Sequence, residues 1–221
     1  MSHCPKCRTR LPEGEEVRFC PNCGASLIPQ SEYAESRPPR FGAPEAGRVG
    51  TLRNRVAVTA VVVLVCFAVS ALGAVSKVEL SEAQQIDQDV GGMRDLLAYG
   101  GVQMIFGNNL MYDLLMFIPF LGPFFGSYVL YSTGRVIAAV GLLSGRNPLV
   151  LFVSLFVYPF AWMEYIAYAM AISESLWLVY MATKHRFRAE LTNAAKVIAI
   201  CAIVLLVSAF IEVILIMALQ A

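Results

Sequence analysis

The chain changes character once along its length. Up to Arg55 it is polar and rich in proline, glycine and charge; from Val56 onward long apolar runs dominate. Runs near 20 apolar residues are long enough to cross a hydrocarbon core of about 30 Å as helices. The pattern predicts a small head at 1–28, a flexible linker at 29–50 and a transmembrane helical domain at 51–221. Within that domain, spans are expected at 56–75, 102–120, 124–143, 149–181 and 191–219. Pro159 breaks the fourth, because a proline inside a helix removes a hydrogen bond and clashes with the preceding turn. The piece before it, 149–158, reads as either re-entrant or a kinked extension. Between the first two spans lies a polar stretch, "SKVELSEAQQIDQDVGGMRDLLAYGG". It predicts short surface helices broken at Gly91-Gly92, with Ser81 and Gln84 as a capping box, or an ordinary solvated loop. The fold class that follows is an all-α polytopic membrane protein of about five helices, carrying a small N-terminal unit.

Composition agrees with that division. Of 221 residues, 57% are hydrophobic and 15% charged, against about 45–50% and about 25% in a soluble domain. The formal net charge of +1 gives no bulk attraction for nucleic acid, and none is expected as a partner. No cleavable signal peptide is expected, since the first apolar run begins only at Val56.

Charge placement orients the spans. Arg48, Arg53 and Arg55 precede the first, and "TKHRFR" follows the fourth. Positive charge favours the cytoplasmic side. Five crossings put both clusters inside, leaving the N-terminus cytoplasmic and the C-terminus outside a cell membrane.

The head carries a metal-site pattern. Cys4-Pro-Lys-Cys7 and Cys20-Pro-Asn-Cys23-Gly24 are two Cys-x2-Cys knuckles. Each brings two thiolates to one turn, and two such turns complete a tetrahedral four-sulfur site suited to structural Zn2+. Two disulfides or a redox pair are the alternatives; duplication of the knuckle disfavours a redox centre, and a zinc site fits a reducing compartment. Gly14 reads as the hairpin tip between the knuckles. His3 is incidental, since four cysteines already fill the site. Lys6, Arg8, Arg10 and Arg18 are offset by Glu13, Glu15 and Glu16, so the head reads as a protein-docking ribbon.

The apolar half carries polar stripes. Asn108, Asn109, Tyr112 and Asp113 lie in the second span, Tyr128, Tyr131, Ser132 and Arg135 in the third, Glu164, Tyr168, Glu174 and Ser175 in the fourth, and Ser208 and Glu212 in the last. Charge in a bilayer is costly, roughly 2.5–3.5 kcal/mol per group on insertion scales. Pointing the stripes at one another is the cheap arrangement. Arg135 is the one basic residue central in a span, with Glu164 as its natural partner and Asp113 or Glu174 as alternatives. The stripes serve either as interhelical glue or as a working site: a proton- or ion-linked cavity, or a groove for lipid or peptide. Glu174 also reads as a solvated residue near the cytoplasmic interface. Gly122 with Gly126, and Gly141 with Gly145, form small-xxx-small pairs suited to close helix packing. No HExxH, GxSxG or Walker A pattern is present, and no enzymatic activity is expected.

"IFGNNLM" (Ile105–Met111) and "YPFAWMEYIAYAMA" (Tyr158–Ala171) resemble two elements of the stage II sporulation protein M family: an F-x-N-N span start, and a Pro-His-Gly-x-x-Glu element matched at Pro159 and Glu164. Phe160-Ala161 stand where that family has His-Gly. The resemblance runs from about Thr51 to Ala221 and leaves out the head. It implies a membrane scaffold or assembly factor, since the sporulation member belongs to an engulfment complex with cell-wall-degrading partners. It also singles out Asn108, Asn109, Pro159 and Glu164. The expected partners are the lipid bilayer and proteins docked through ribbon and bundle, with a homo-oligomer among the options. The alternative is a transporter or permease subunit with a polar site around Glu164 and Arg135, because broken helices often line substrate sites.

Overall fold

The computed structural model describes residues 3–4, 6–10, 19–25 and 52–220, the side chains of 93–99, 219 and 220 excepted. The linker at 29–50 and the expected hairpin tip at Gly14 lie outside the described residues. The chain divides into two compact units, Met1–Thr51 and Leu52–Ala221.

The second unit is helical throughout: α1 (Leu52–Ala74), α2 (Leu80–Met116), α3 (Leu121–Ser144), α4 (Pro148–Leu155), α5 (Pro159–Thr183) and α6 (Phe187–Gln220). Among the described residues, three helices are long and apolar enough to cross a membrane: Leu52–Ala74, Pro159–Thr183 and Phe187–Ala218. The helices that hold the expected second and third spans are not among them. Large apolar side chains stay exposed on the bundle surface, among them Leu64, Phe124, Ile203 and Ile214. That is the arrangement of helices whose outer solvent is hydrocarbon.

Local chemistry explains most boundaries. Asn147 caps α4 by accepting from the Leu149 amide at 2.9 Å, and Pro148 takes the first helical position, where a missing N–H costs nothing. Pro159 likewise opens α5, so the expected break is a helix start after a three-residue turn. At about 1.5 Å per residue, the eight residues of α4 are too short to cross a bilayer. Gly145 ends α3 in the left-handed conformation, φ 66°.

Two expectations fail in α2. The helix runs through Gly91-Gly92 without a break and departs from helical geometry at Gly101 instead, with φ 53° and ψ −139°. A residue with a Cβ resists that conformation, so the kink falls where glycine permits it. The predicted capping box is also absent: Glu79 occupies the cap position and makes no side-chain cap bond.

Backbone meets backbone where α1 crosses α3. A Cβ on Gly134 would stand 2.1 Å from the Ser70 carbonyl oxygen and 2.8 Å from the Gly73 Cα. The two backbones touch, which only small residues allow. Gly122 and Gly126 do face other elements: Met116 and Ser175 crowd the first, Ile172 the second. Gly141 and Gly145 do not act as a pair. Gly141 faces Arg146 and the Pro148 ring that opens α4, and Gly145 is the cap. An aromatic cluster of Phe67, Phe156, Trp162 and Tyr165 ties α1 to the turn after α4 and to α5. The Trp162 indole donates to the Phe156 carbonyl at 2.8 Å.

Candidate functional site

In the first unit the two knuckles repeat one backbone design. The Cys4 carbonyl accepts from the Arg8 amide at 2.8 Å, and the Cys20 carbonyl accepts from the Gly24 amide at 2.9 Å. Arg8 (φ 59°) and Gly24 (φ 66°) both take the left-handed conformation just after the second cysteine. The turn is thus the same whether glycine or arginine closes it.

The four sulfurs converge. Cys4 Sγ lies 3.7 Å from Cys23 Sγ, Cys7 Sγ lies 3.5 Å from Cys20 Sγ, and all four ligand atoms fall within 4.8 Å of one another. No disulfide joins them; a bond would need about 2.05 Å. A tetrahedron with metal–sulfur distances of about 2.3 Å has edges of about 3.8 Å, so the cluster fits a four-coordinate ion. Its protons tell the same story. Hydrogen bonding from the Thr9 hydroxyl, then from the Thr9 amide, holds the Cys7 thiol down at about 6. At Cys23 the Ala25 amide favours the thiolate, but Cys7 and burial outweigh it and push the thiol up to about 12. Four sulfurs this close become thiolates together only around a cation. Asn22 donates to the Thr9 hydroxyl at 2.9 Å and braces the knuckle from outside. His3 pairs its backbone with Arg10 and stays out of the cluster.

In the helical unit, the expected intramembrane residues separate into three groups. The first joins α2, α5 and α6. The Asn109 amide donates to Glu164 Oε1 at 2.6 Å, and the Ser208 hydroxyl lies 3.4 Å from the same oxygen. Ser208 also donates to the Phe160 carbonyl at 3.2 Å. Glu212 lies near enough to act on Glu164 electrostatically, and Tyr168, one turn along α5, senses both Glu164 and Asp113. Asp113 is fully buried, and neither carboxylate oxygen has a hydrogen-bond partner. Asn108 sits beside this group and reaches only Asn109, at 3.4 Å.

The second group clamps one end of the bundle. Arg55 of α1 bonds Glu174 of α5 at 3.0 Å and also pairs with Glu190 of α6. Its guanidinium lies 5.0 Å from the Trp177 ring centroid. Glu174 is therefore buried and paired, not solvated. Thr59 donates to Ser173 at 3.2 Å beside the clamp.

The third group corrects the pairing of Arg135. Its partner is Glu82, in the N-terminal part of α2, and not Glu164, Asp113 or Glu174. The acidic first turn of α2 reaches the arginine, which lies 53 positions further along the chain. A site built on Glu164 and Arg135 together is thereby dissolved. Sequence reading also passed over the Tyr165 hydroxyl, which donates to Ser70 at 2.8 Å, and over Glu190. Arg55 was legible only as a topology charge; nothing local links it to residues 119 and 135 positions away.

Fold and cysteine cluster together define a helical membrane protein with a metal-competent four-cysteine head. The family model for stage II sporulation protein M matches residues 56–215, and the chain belongs to that family. Comparisons with curated proteins and with solved structures return no match.

Proposed function

We propose that the chain is a non-enzymatic membrane scaffold or assembly factor whose head is a zinc ribbon that docks a partner protein. The observation that carries this reading is the family match over the bundle, joined to a four-sulfur cluster outside it. Zinc is the ion of choice because thiolate ligands in tetrahedral array suit it. In this reading the bundle crosses the membrane five times, with the head cytoplasmic and the C-terminus outside. The supports are the basic residues Arg53 and Arg55 in the first turn of α1 and the cluster around Arg186 and Arg188 where α5 gives way to α6.

The test uses full-length protein purified under reducing, metal-replete conditions. Metal analysis should find about one zinc per chain, lost in Cys7→Ser. Proteins that co-purify with the wild type should be missing with Cys7→Ser while the bundle keeps its thermal stability. Absence of zinc removes the ribbon. Retention of every partner by the metal-free variant removes its docking role.

A second reading, a transport subunit, draws on one observation: the buried Glu164–Asn109–Ser208 contact among three helices. With Arg135 engaged elsewhere, such a site is acidic only.

A further inference from the structure

Asp113 sets the problem. It is fully buried, both its oxygens lack partners, and burying a carboxylate without compensation is among the costliest things a fold does. Its surroundings follow helical register. Asn109 and Asp113 share a face of α2, Glu164 and Tyr168 a face of α5, and Cys201, Leu205, Ser208 and Glu212 a face of α6. Contacts join these faces: Asn109 and Ser208 to Glu164, and the Cys201 thiol to the Ala167 carbonyl at 3.7 Å. Asp113 acts electrostatically on Tyr168 and on Cys201. The three faces therefore enclose one polar column, with Glu212 and Glu164 at one level and Asp113 further along.

Among the described residues the column holds three carboxyl groups and no cation; Glu174, which also acts on Cys201, is already held by Arg55. Its other titratable members are Tyr112 of α2, Tyr165 and Tyr168 of α5 and Cys201 of α6, with Cys66 of α1 beside Tyr165. The sequence between Gly101 and Thr183 contains two basic residues, Arg135 and Arg146. Arg135 is taken by Glu82, and Arg146 lies in the exposed turn after α3. In α6 the last basic residue is Lys196, exposed and more than three turns before Ser208. In α1, Arg55 is held by Glu174 and Glu190. Among the described residues a cation is thus supplied to the buried Glu174 and Glu190 and none to these three.

We propose that the α2–α5–α6 column is a binding site for a small monovalent cation, a proton or a sodium ion, taken up at Asp113 and Glu164. Asn109 and Ser208 fix the Glu164 carboxyl, and Asp113 offers two open oxygens. The inference stands apart from the scaffold reading. It gives the transport reading its ion class, and loss of protein partners leaves it untouched.

The test uses full-length, zinc-loaded protein in detergent. N,N′-dicyclohexylcarbodiimide, which modifies protonated carboxyl groups in apolar surroundings, is applied from mildly acidic to mildly alkaline pH, in sodium chloride or choline chloride. Modified residues are mapped by mass spectrometry, and Tm is measured in both salts. The expected result is modification at Asp113 or Glu164 that declines as pH rises. If the ion is sodium, sodium chloride suppresses the modification and raises Tm relative to choline chloride; if it is a proton alone, the two salts agree. Glu164→Gln and Asp113→Asn should each lose modification at their own position, and the wild-type mapping decides the matter if Asp113→Asn fails to fold. Modification absent from both residues at every pH, with equal Tm in both salts, overturns the proposal, as does modification confined to Glu212.

Discussion

Two seams of the same bundle are held by opposite means. Between α1 and α3, side chains are nearly eliminated, and Gly73 and Gly134 let the backbones meet. Between α2, α5 and α6, polar side chains fill the gap, and Asn109, Glu164 and Ser208 bond across it. In hydrocarbon there is no hydrophobic drive between helices, so packing and interhelical hydrogen bonds carry association. The first seam closes on backbone contact at Gly73 and Gly134, and nearer the start of α1 it opens into an apolar cavity lined by Val58, Val62, Cys66, Ser127 and Leu130. The second tolerates groups that need compensation, and among the described residues only there does a buried carboxyl group lack a hydrogen-bond partner on both oxygens. At one end of the bundle, Arg55 bridges α1 to both α5 and α6, so the two regions are fastened by a charge clamp.

The comparison can be broken most severely at that clamp. Arg55→Ala leaves Glu174 and Glu190 buried without their cation, and removing one partner of a buried pair costs about 3–5 kcal/mol. Thermal unfolding in detergent should show a large loss of Tm, partly restored by adding Glu174→Gln. A loss no larger than that of an exposed arginine would mean the clamp is solvated.

Gly134→Val comes next. Its side chain would strike the Ser70 carbonyl and Ala74 amide, and such overpacking costs about 1–3 kcal/mol. The same change at Gly92, where an added Cβ meets nothing within 4 Å, should cost far less; equal losses would show that helix propensity, not contact, sets the penalty.

Arg135→Ala sharpens the contrast from the other side. Glu82 is 45% exposed and the arginine 26%, and pairs of that kind contribute about 0–1 kcal/mol. A double-mutant cycle with Glu82→Ala should give a coupling in that range. A larger coupling of Arg135 with Glu164→Gln instead would restore the pairing that the structure rejects.

Periodic and local signals were legible in the sequence. Cys-x2-Cys spacing located the sulfur cluster because each knuckle is a five-residue turn, closed by its own backbone hydrogen bond. Proline placed the start of α5, since its missing N–H is harmless only at a helix start. The membrane class followed from long apolar runs. The polar stripes were visible as well, because residues three and four apart share a helix face, and Asn109, Glu164 and Ser208 do meet.

What only the tertiary structure decided was which stripe faces which. Arg135 has carboxylates available at 82, 113, 164 and 174, and periodicity ranks none of them; the packing of α2 beside α3 chose Glu82. The break in α2 fell at Gly101 and not at Gly91-Gly92, because every glycine permits a kink and only the surrounding packing demands one. Gly134 looked like any glycine in an apolar run until Ser70 was found 2.1 Å from its missing Cβ. Sequence determines the chemistry each helix can offer. The crossing of helices far apart in the chain determines which groups are paired, and leaves Asp113 buried with neither oxygen bonded.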